Sequence, residues 1–224
     1  MKKWVLLEQA PTPDGSVLAL YVHDGDYAIR VNGRELMSTR RHASEERLAE
    51  VACAPLARRP GVRVLIGGLG MGFTLRAALA SLQVDAQVVV AELIPAVIAW
   101  NRNAAYGLAA DALADPRTRI EVLDVAEVIA RSSGGFDAIM LDADNNTTAM
   151  NTKGNSSLYT PQGLASMRAA LRRGGCVVYW SAGADPLLAR RMGKSGFTVE
   201  VQQARAHTTS GSGGLHTLLI GRRS

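Results

Sequence analysis

The sequence predicts an α/β fold: a doubly wound, mostly parallel seven-stranded sheet preceded by a small N-terminal β-hairpin unit. Three observations predict it. Short aliphatic runs such as Val62 to Ile66, Val88 to Ala91 and Phe136 to Leu141 have strand length, and their apolar character on every residue suits burial on both faces. Segments with helical apolar spacing alternate with them, which is the signature of parallel strands joined by crossover helices. The first 43 residues instead alternate apolar and polar residues around Asp24-Gly25 and Asn32-Gly33, the chemistry of tight hairpin turns.

In chain order, Leu18, Leu20 and Val22 share one face of a first strand, and Tyr27, Ile29 and Val31 share one face of a second. Three short antiparallel strands are expected, ending near Met37. We place a boundary here, with residues 1–43 as the hairpin unit and 44–224 as the α/β domain. Ser44 is expected to cap a helix whose first turn holds Glu45 and Glu46 and whose stripe is Leu48, Val51, Ala52 and Leu56. Helices are expected over Phe73 to Leu82, Pro95 to Tyr106, Pro161 to Arg172 and Asp185 to Lys194. The third to sixth core strands are expected at Arg119 to Leu123, Phe136 to Leu141, Cys176 to Trp180 and Phe197 to Val201, with Leu215 to Ile220 closing the sheet antiparallel.

The strand Val62 to Ile66 runs into Gly67, Gly68, Gly70 and Gly72, then into a helix. Glycines between a strand and a helix N-terminus let a ligand lie against bare backbone. The next strand ends in Glu92, about 20 residues beyond the last loop glycine, where a carboxylate accepts hydrogen bonds from ribose hydroxyls. The spacing Gly-x-Gly-x-Gly from Gly68 departs from the dinucleotide pattern, and Met71 and Phe73 crowd the helix entry. An adenosine ligand without a pyrophosphate fits better, with S-adenosylmethionine the leading candidate.

Asp124 ends the third strand. It either accepts from an adenine amino group, with the N–H of Val125 donating to the ring, or simply caps the helix that begins at Val125. Asp142, Asp144, Asn145 and Asn146 cluster at the tip of the fourth strand, where ligands bind in open α/β sheets. The polar stretch from Thr147 to Thr160 is expected to be a lid, with Tyr159 at its end touching substrate or packing beneath the loop. His42 stands where the hairpin unit joins the core, facing the entry of an acceptor, or is a surface or capping residue. His207 and His216 show no metal spacing and are read as structural, and no metal site is expected.

Composition narrows the class. With 224 residues and 47% apolar content the chain buries a full core. Cys53 and Cys176 lack metal-ligand spacing and read as reduced core thiols of a cytoplasmic protein, and no apolar run reaches membrane length. The net charge of +5 comes from scattered arginine pairs rather than a basic block with aromatics, so a small-molecule acceptor is expected rather than a nucleic acid or a membrane.

With these pieces in order, the chain resembles the class I S-adenosylmethionine-dependent methyltransferase superfamily, and within it the spermidine synthase-like branch. The resemblance rests on VLIGGLGMG, VVVAE, VLDVAEVI, FDAIMLDAD and LYTPQGLASMRAALRRGGCVVYW and spans nearly the whole chain. It implies a Rossmann-like fold in which Gly67, Gly68, Gly70, Gly72, Glu92, Asp124, Val125 and Asp142 bind the cofactor. It also implies catalytic roles for Asp142 and Asp144, and a substrate site including Asn145, Tyr159 and His42. Relatives often dimerise through the N-terminal unit and a sheet edge, so a homodimer is expected. Two positions depart from the spermidine synthase pattern: its glycine motif carries an Asp where this chain has Gly70, and its catalytic acid falls on Asn145, an amide that takes no proton near neutral pH. Methyl transfer from S-adenosylmethionine to a small molecule is therefore the favoured expectation. Aminopropyl transfer from the decarboxylated donor, and a non-catalytic relative, are the alternatives.

Overall fold

The computed structural model describes residues 3–142, 157–205 and 215–224. Residues Val5–Pro11 (β1), Val17–His23 (β2), Asp26–Val31 (β3) and Arg34–Ser38 (β4) form one antiparallel sheet in that order. Both hairpin turns take positive φ at each central residue, Asp24-Gly25 and Asn32-Gly33, matching the twist of the strands they join. The sheet has four strands, not the three expected. β1 escapes a periodicity reading because it is a mostly exposed edge strand with an irregular register at Leu6 to Glu8, ending in Pro11.

The second sheet has seven strands: Arg63–Gly67 (β5), Gln87–Ala91 (β6), Thr118–Glu121 (β7), Phe136–Leu141 (β8), Leu171–Ser181 (β9), Phe197–Arg205 (β10) and Leu215–Arg223 (β11). Their order is β10-β11-β9-β8-β5-β6-β7, parallel except for β11, which runs antiparallel to both neighbours. Val64 and Ile66 of β5 face one core and Leu65 the other, as the unbroken aliphatic run requires. The helices are Ala43–Cys53 (α1), Phe73–Ser81 (α2), Pro95–Arg102 (α3), Ala110–Ala114 (α4), Val125–Ala130 (α5), Pro161–Ala170 (α6) and Pro186–Lys194 (α7). α1 to α4 pack on the Val64 side and α5 to α7 on the Leu65 side. Each buried Val, Leu or Ile of these cores contributes about 1.5–3 kcal/mol. Leu18, Leu20 and Ile29 of the N-terminal sheet belong to the same core as Leu48 and Val64, so this sheet is packed onto the larger one.

Several element ends differ from expectation. Ser44 does not cap α1: His42 holds the N-cap position without a side-chain bond, and Ser44 is buried inside the first turn. α3 stops at Arg102 because Asn103 leaves helical geometry and its side chain accepts from the N–H of Ala105, opening a separate turn over Ala104–Tyr106. α6 stops at Ala170 because Leu171 already pairs with Phe136. Gly174-Gly175 then belongs to an irregularity inside β9, where any Cβ on Gly175 would stand 2.9 Å from backbone oxygens. β7 ends at Glu121, not Leu123. Cys53 and Cys176 are both buried free thiols, and burial pushes Cys53 up to about 12. Among the described residues no helix is long and apolar enough to cross a membrane.

Candidate functional site

Strand register brings the functional candidates to one edge. Gly67 of β5 pairs with Ala91 of β6 and with Leu141 of β8, so the residues that follow, Gly68, Glu92 and Asp142, stand side by side at the carboxyl ends of three parallel strands. Gly68 is exposed with φ +92°. The backbone oxygen of Asp142 lies 4.0 Å from where its Cβ would be, with no closer contact among the described residues. A ligand can lie against this peptide as it could not against any other residue type. Asp142 is half-buried.

The other glycines serve packing. A Cβ on Gly67 would stand 2.7 Å from Leu141 and 3.0 Å from buried Val125, and one on Gly72 would stand 2.3 Å from Ala109. Gly70, at φ +54°, lies under Met37 of β4, whose sulfur is 3.2 Å from the Cβ position. The N-terminal sheet thus leans over the glycine loop exactly one residue from its half-buried bend at Gly70.

Glu92 ties this edge together. It is 7% exposed. Its Oε2 accepts from the N–H of Leu69 at 2.8 Å and its Oε1 from the N–H of Ile94 at 2.8 Å. Among the described residues no cation pairs with it. Burial pushes its carboxyl above the usual glutamate value, and the N–H groups of Leu69, Ile94 and Leu93 pull it part of the way back. An ionised carboxylate has about four lone-pair sites, and two are used here, so acceptor capacity for sugar hydroxyls remains. The structure fits an adenosyl ligand in this respect: a bare peptide at Gly68 beside an acid with unspent acceptor sites.

Asp124 caps α5, its Oδ1 accepting from the N–H of Ala126 at 2.8 Å, and Val125 opens that helix, where N–H groups have no intrahelical partner. His42 lies stacked on Phe73, ring centroids 4.1 Å apart, with Nδ1 3.1 Å from Glu46. Tyr159 is half-buried against Tyr179, at 5.5 Å, on the α6 side of β9. Asp144, Asn145 and most of the expected lid lie outside the described residues.

One residue that sequence reasoning missed organises the loop. Asn101 of α3 is fully buried, and its Nδ2 donates to the carbonyl oxygens of Gly70 and Val97, each at 2.8 Å. Two carbonyl acceptors fix which way the amide points, and Oδ1 is left without a partner among the described residues. The available signal was a polar residue one helical turn after Val97 on an otherwise apolar stripe.

No family model matches the sequence, and no curated protein matches it. Solved structures do. A spermidine synthase in complex with the transition-state analogue AdoDATO is 20% identical over 98% of this chain and 72% of that one, with a TM-score of 0.74. The spermidine synthase of Thermotoga maritima is 20% identical over 98% and 73%, with a TM-score of 0.76. A probable spermidine synthase from Corynebacterium glutamicum ATCC 13032 is 18% identical over 99% and 81%, with a TM-score of 0.66. The chain shares the fold of spermidine synthases, the branch that its motifs resemble.

Proposed function

We propose that the chain is a transferase that binds an adenosyl sulfonium over Gly68 and passes one of its carbon groups to a small-molecule acceptor. The observation that carries this reading is Glu92, a buried acid without a cation among the described residues, at the strand edge beside the one exposed loop glycine. In this reading Glu92 holds the ribose, Asp124 and Val125 the adenine, and Asp142 lies near the charged sulfur, with Asp144 as proton acceptor. The donor supplies an electrophilic carbon on a positively charged sulfur. The protein contributes orientation and a site from which water is excluded.

For the group transferred, the neighbours named spermidine synthase favour aminopropyl transfer from decarboxylated S-adenosylmethionine to an amine. They lend no support to methyl transfer. Methyl transfer from intact S-adenosylmethionine is the second reading, favoured by one observation: Gly70 brings no acid to the loop, and the Met37 thioether fills the space where that side chain would stand. Calorimetric titration with both donors decides. Tighter binding of the decarboxylated donor supports aminopropyl transfer, tighter binding of the intact donor supports methyl transfer, and binding of neither overturns the transferase reading. Binding of either without turnover over a panel of amines and alcohols would make the chain a non-catalytic relative. We propose too that residues 1–43 and 44–224 are its two units and that it works as a cytoplasmic homodimer; sedimentation at micromolar concentration tests the dimer.

A further inference from the structure

A second polar cluster lies on the same sheet edge, across β8 from Glu92. Leu141 of β8 pairs with Tyr179 of β9, so Trp180 stands level with Asp142. Ser181 pairs with Thr217 of β11, which places His216 just beyond it at the same edge. Trp180 and His216 meet edge to face at 4.5 Å, and His216 Nδ1 is 2.9 Å from the hydroxyl of buried Ser44 on α1. The first turn of α1 joins this cluster to the donor loop. His42 stacks on Phe73, which follows Gly72, and the carbonyl of Glu45 accepts from the hydroxyl of Thr74 at 3.4 Å, while Ser44 between them reaches His216.

One atom in the cluster has no internal explanation. The indole Nε1 of Trp180 is shut off from solvent and has no hydrogen-bond partner among the described residues. A buried donor left unpaired costs about 1–3 kcal/mol, so a native protein keeps one where something else completes it.

We propose that Trp180, His216 and Ser44 form the acceptor site of the transferase, with His216 as the base that takes the acceptor's proton. The proposal rests on the transferase reading above. With Nδ1–H donating to the Ser44 hydroxyl, Nε2 is the basic atom of the ring. As the acceptor's lone pair forms its bond to the donor carbon, the carbon–sulfur bond breaks and its electrons stay on sulfur, which becomes a neutral thioether. The surplus proton on the acceptor nitrogen or oxygen passes to Nε2. Ser44 is a positioning residue, holding the ring in this tautomer. Trp180 donates to a lone pair elsewhere on the acceptor. The chemistry recognised is a small uncharged nucleophile with a second heteroatom, a diamine or a diol.

Nuclear magnetic resonance of the full chain labelled with 15N at histidine and tryptophan tests this without turnover. 1,4-Diaminobutane is added in one arm and 1,4-butanediol in the other, with Trp180→Phe and His216→Gln assigning the signals. Movement of both the Trp180 indole and the His216 ring signals in either arm supports the site and tells amine from alcohol. Movement of neither, or a ring protonated at Nε2 and bare at Nδ1, overturns it. Once an acceptor turns over, His216→Gln should lower kcat about 100-fold with the donor's Kd unchanged, and imidazole should partly rescue His216→Ala. Unchanged kcat in His216→Gln overturns the role. Failure of the unsubstituted chain to bind either donor instead overturns the transferase reading itself.

Discussion

Two buried carboxylates stand at opposite edges of the large sheet, and they are kept in different ways. Asp137, near the amino end of β8, is 1% exposed and held by cations: Arg59 at 3.1 Å and Arg172 at 2.7 Å, with the N–H of Arg63 at 2.9 Å. Glu92, at the carboxyl edge, has only backbone N–H groups. A charge surrounded by its own counter-ions has finished its work in the folded chain. One buried beside neutral dipoles alone is raised in pKa, remains costly and keeps acceptor sites for something that arrives later.

The sharpest break of this contrast is Asp137→Ala. It leaves two arginines and a backbone N–H without their shared acceptor. Because both arginine heads reach solvent, the loss should fall at the low end for a broken buried pair, about 3 kcal/mol by urea unfolding, with donor affinity of the folded chain unchanged. Glu92→Gln should do the reverse. Stability should hold within about 1 kcal/mol, while the donor's Kd in calorimetry rises about 10- to 100-fold, the worth of a hydrogen bond to a charged group. Equal losses in both variants for both properties would erase the distinction.

The same contrast has a pH form. The folded pKa of Glu92 lies above the unfolded one, so the folded chain binds the extra proton between the two values. Its contribution to stability is therefore complete below the ordinary glutamate value near 4.5 and is lost as pH rises through the raised folded value. Unfolding measured across this window should show the unsubstituted chain losing stability relative to Glu92→Gln, while its donor affinity rises as the carboxylate ionises. The smallest effect comes from placing a third acid by hand. Gly70→Asp combined with Met37→Ala, which clears the space, should shift preference toward the decarboxylated donor about tenfold in the ratio of the two Kd values, because the new carboxylate repels that of the intact donor. An unchanged ratio would remove the support that Gly70 lends to methyl transfer.

Much of this was legible in the residues. The core strands and the alternation of helices follow from aliphatic runs and apolar spacing, and β8 falls at Phe136–Leu141 as expected. The strand–glycine–helix–acid pattern located Gly68 and Glu92. What escaped depends on contacts between segments remote in sequence. Met37 meets Gly70 across more than thirty positions, and Ser44 meets His216 across 172, so neither pairing leaves a periodic trace. Asn101 looked like one polar residue among many until its two carbonyl partners were known. The ends of α3 and α6 were misplaced because capping by Asn103 and pairing of Leu171 override local helix spacing.

Glu8 of β1 accepts from the indole of Trp100 at 2.9 Å and the hydroxyl of Tyr106 at 2.5 Å. Trp100 is the immediate neighbour of Asn101, whose amide grips the carbonyl of Gly70. The outermost strand of the small sheet is thereby coupled, through one helix, to the bend over which a ligand would settle. Any displacement of that strand, whether by a fused tag or a docking partner, should register at the loop as a change in ligand off-rate.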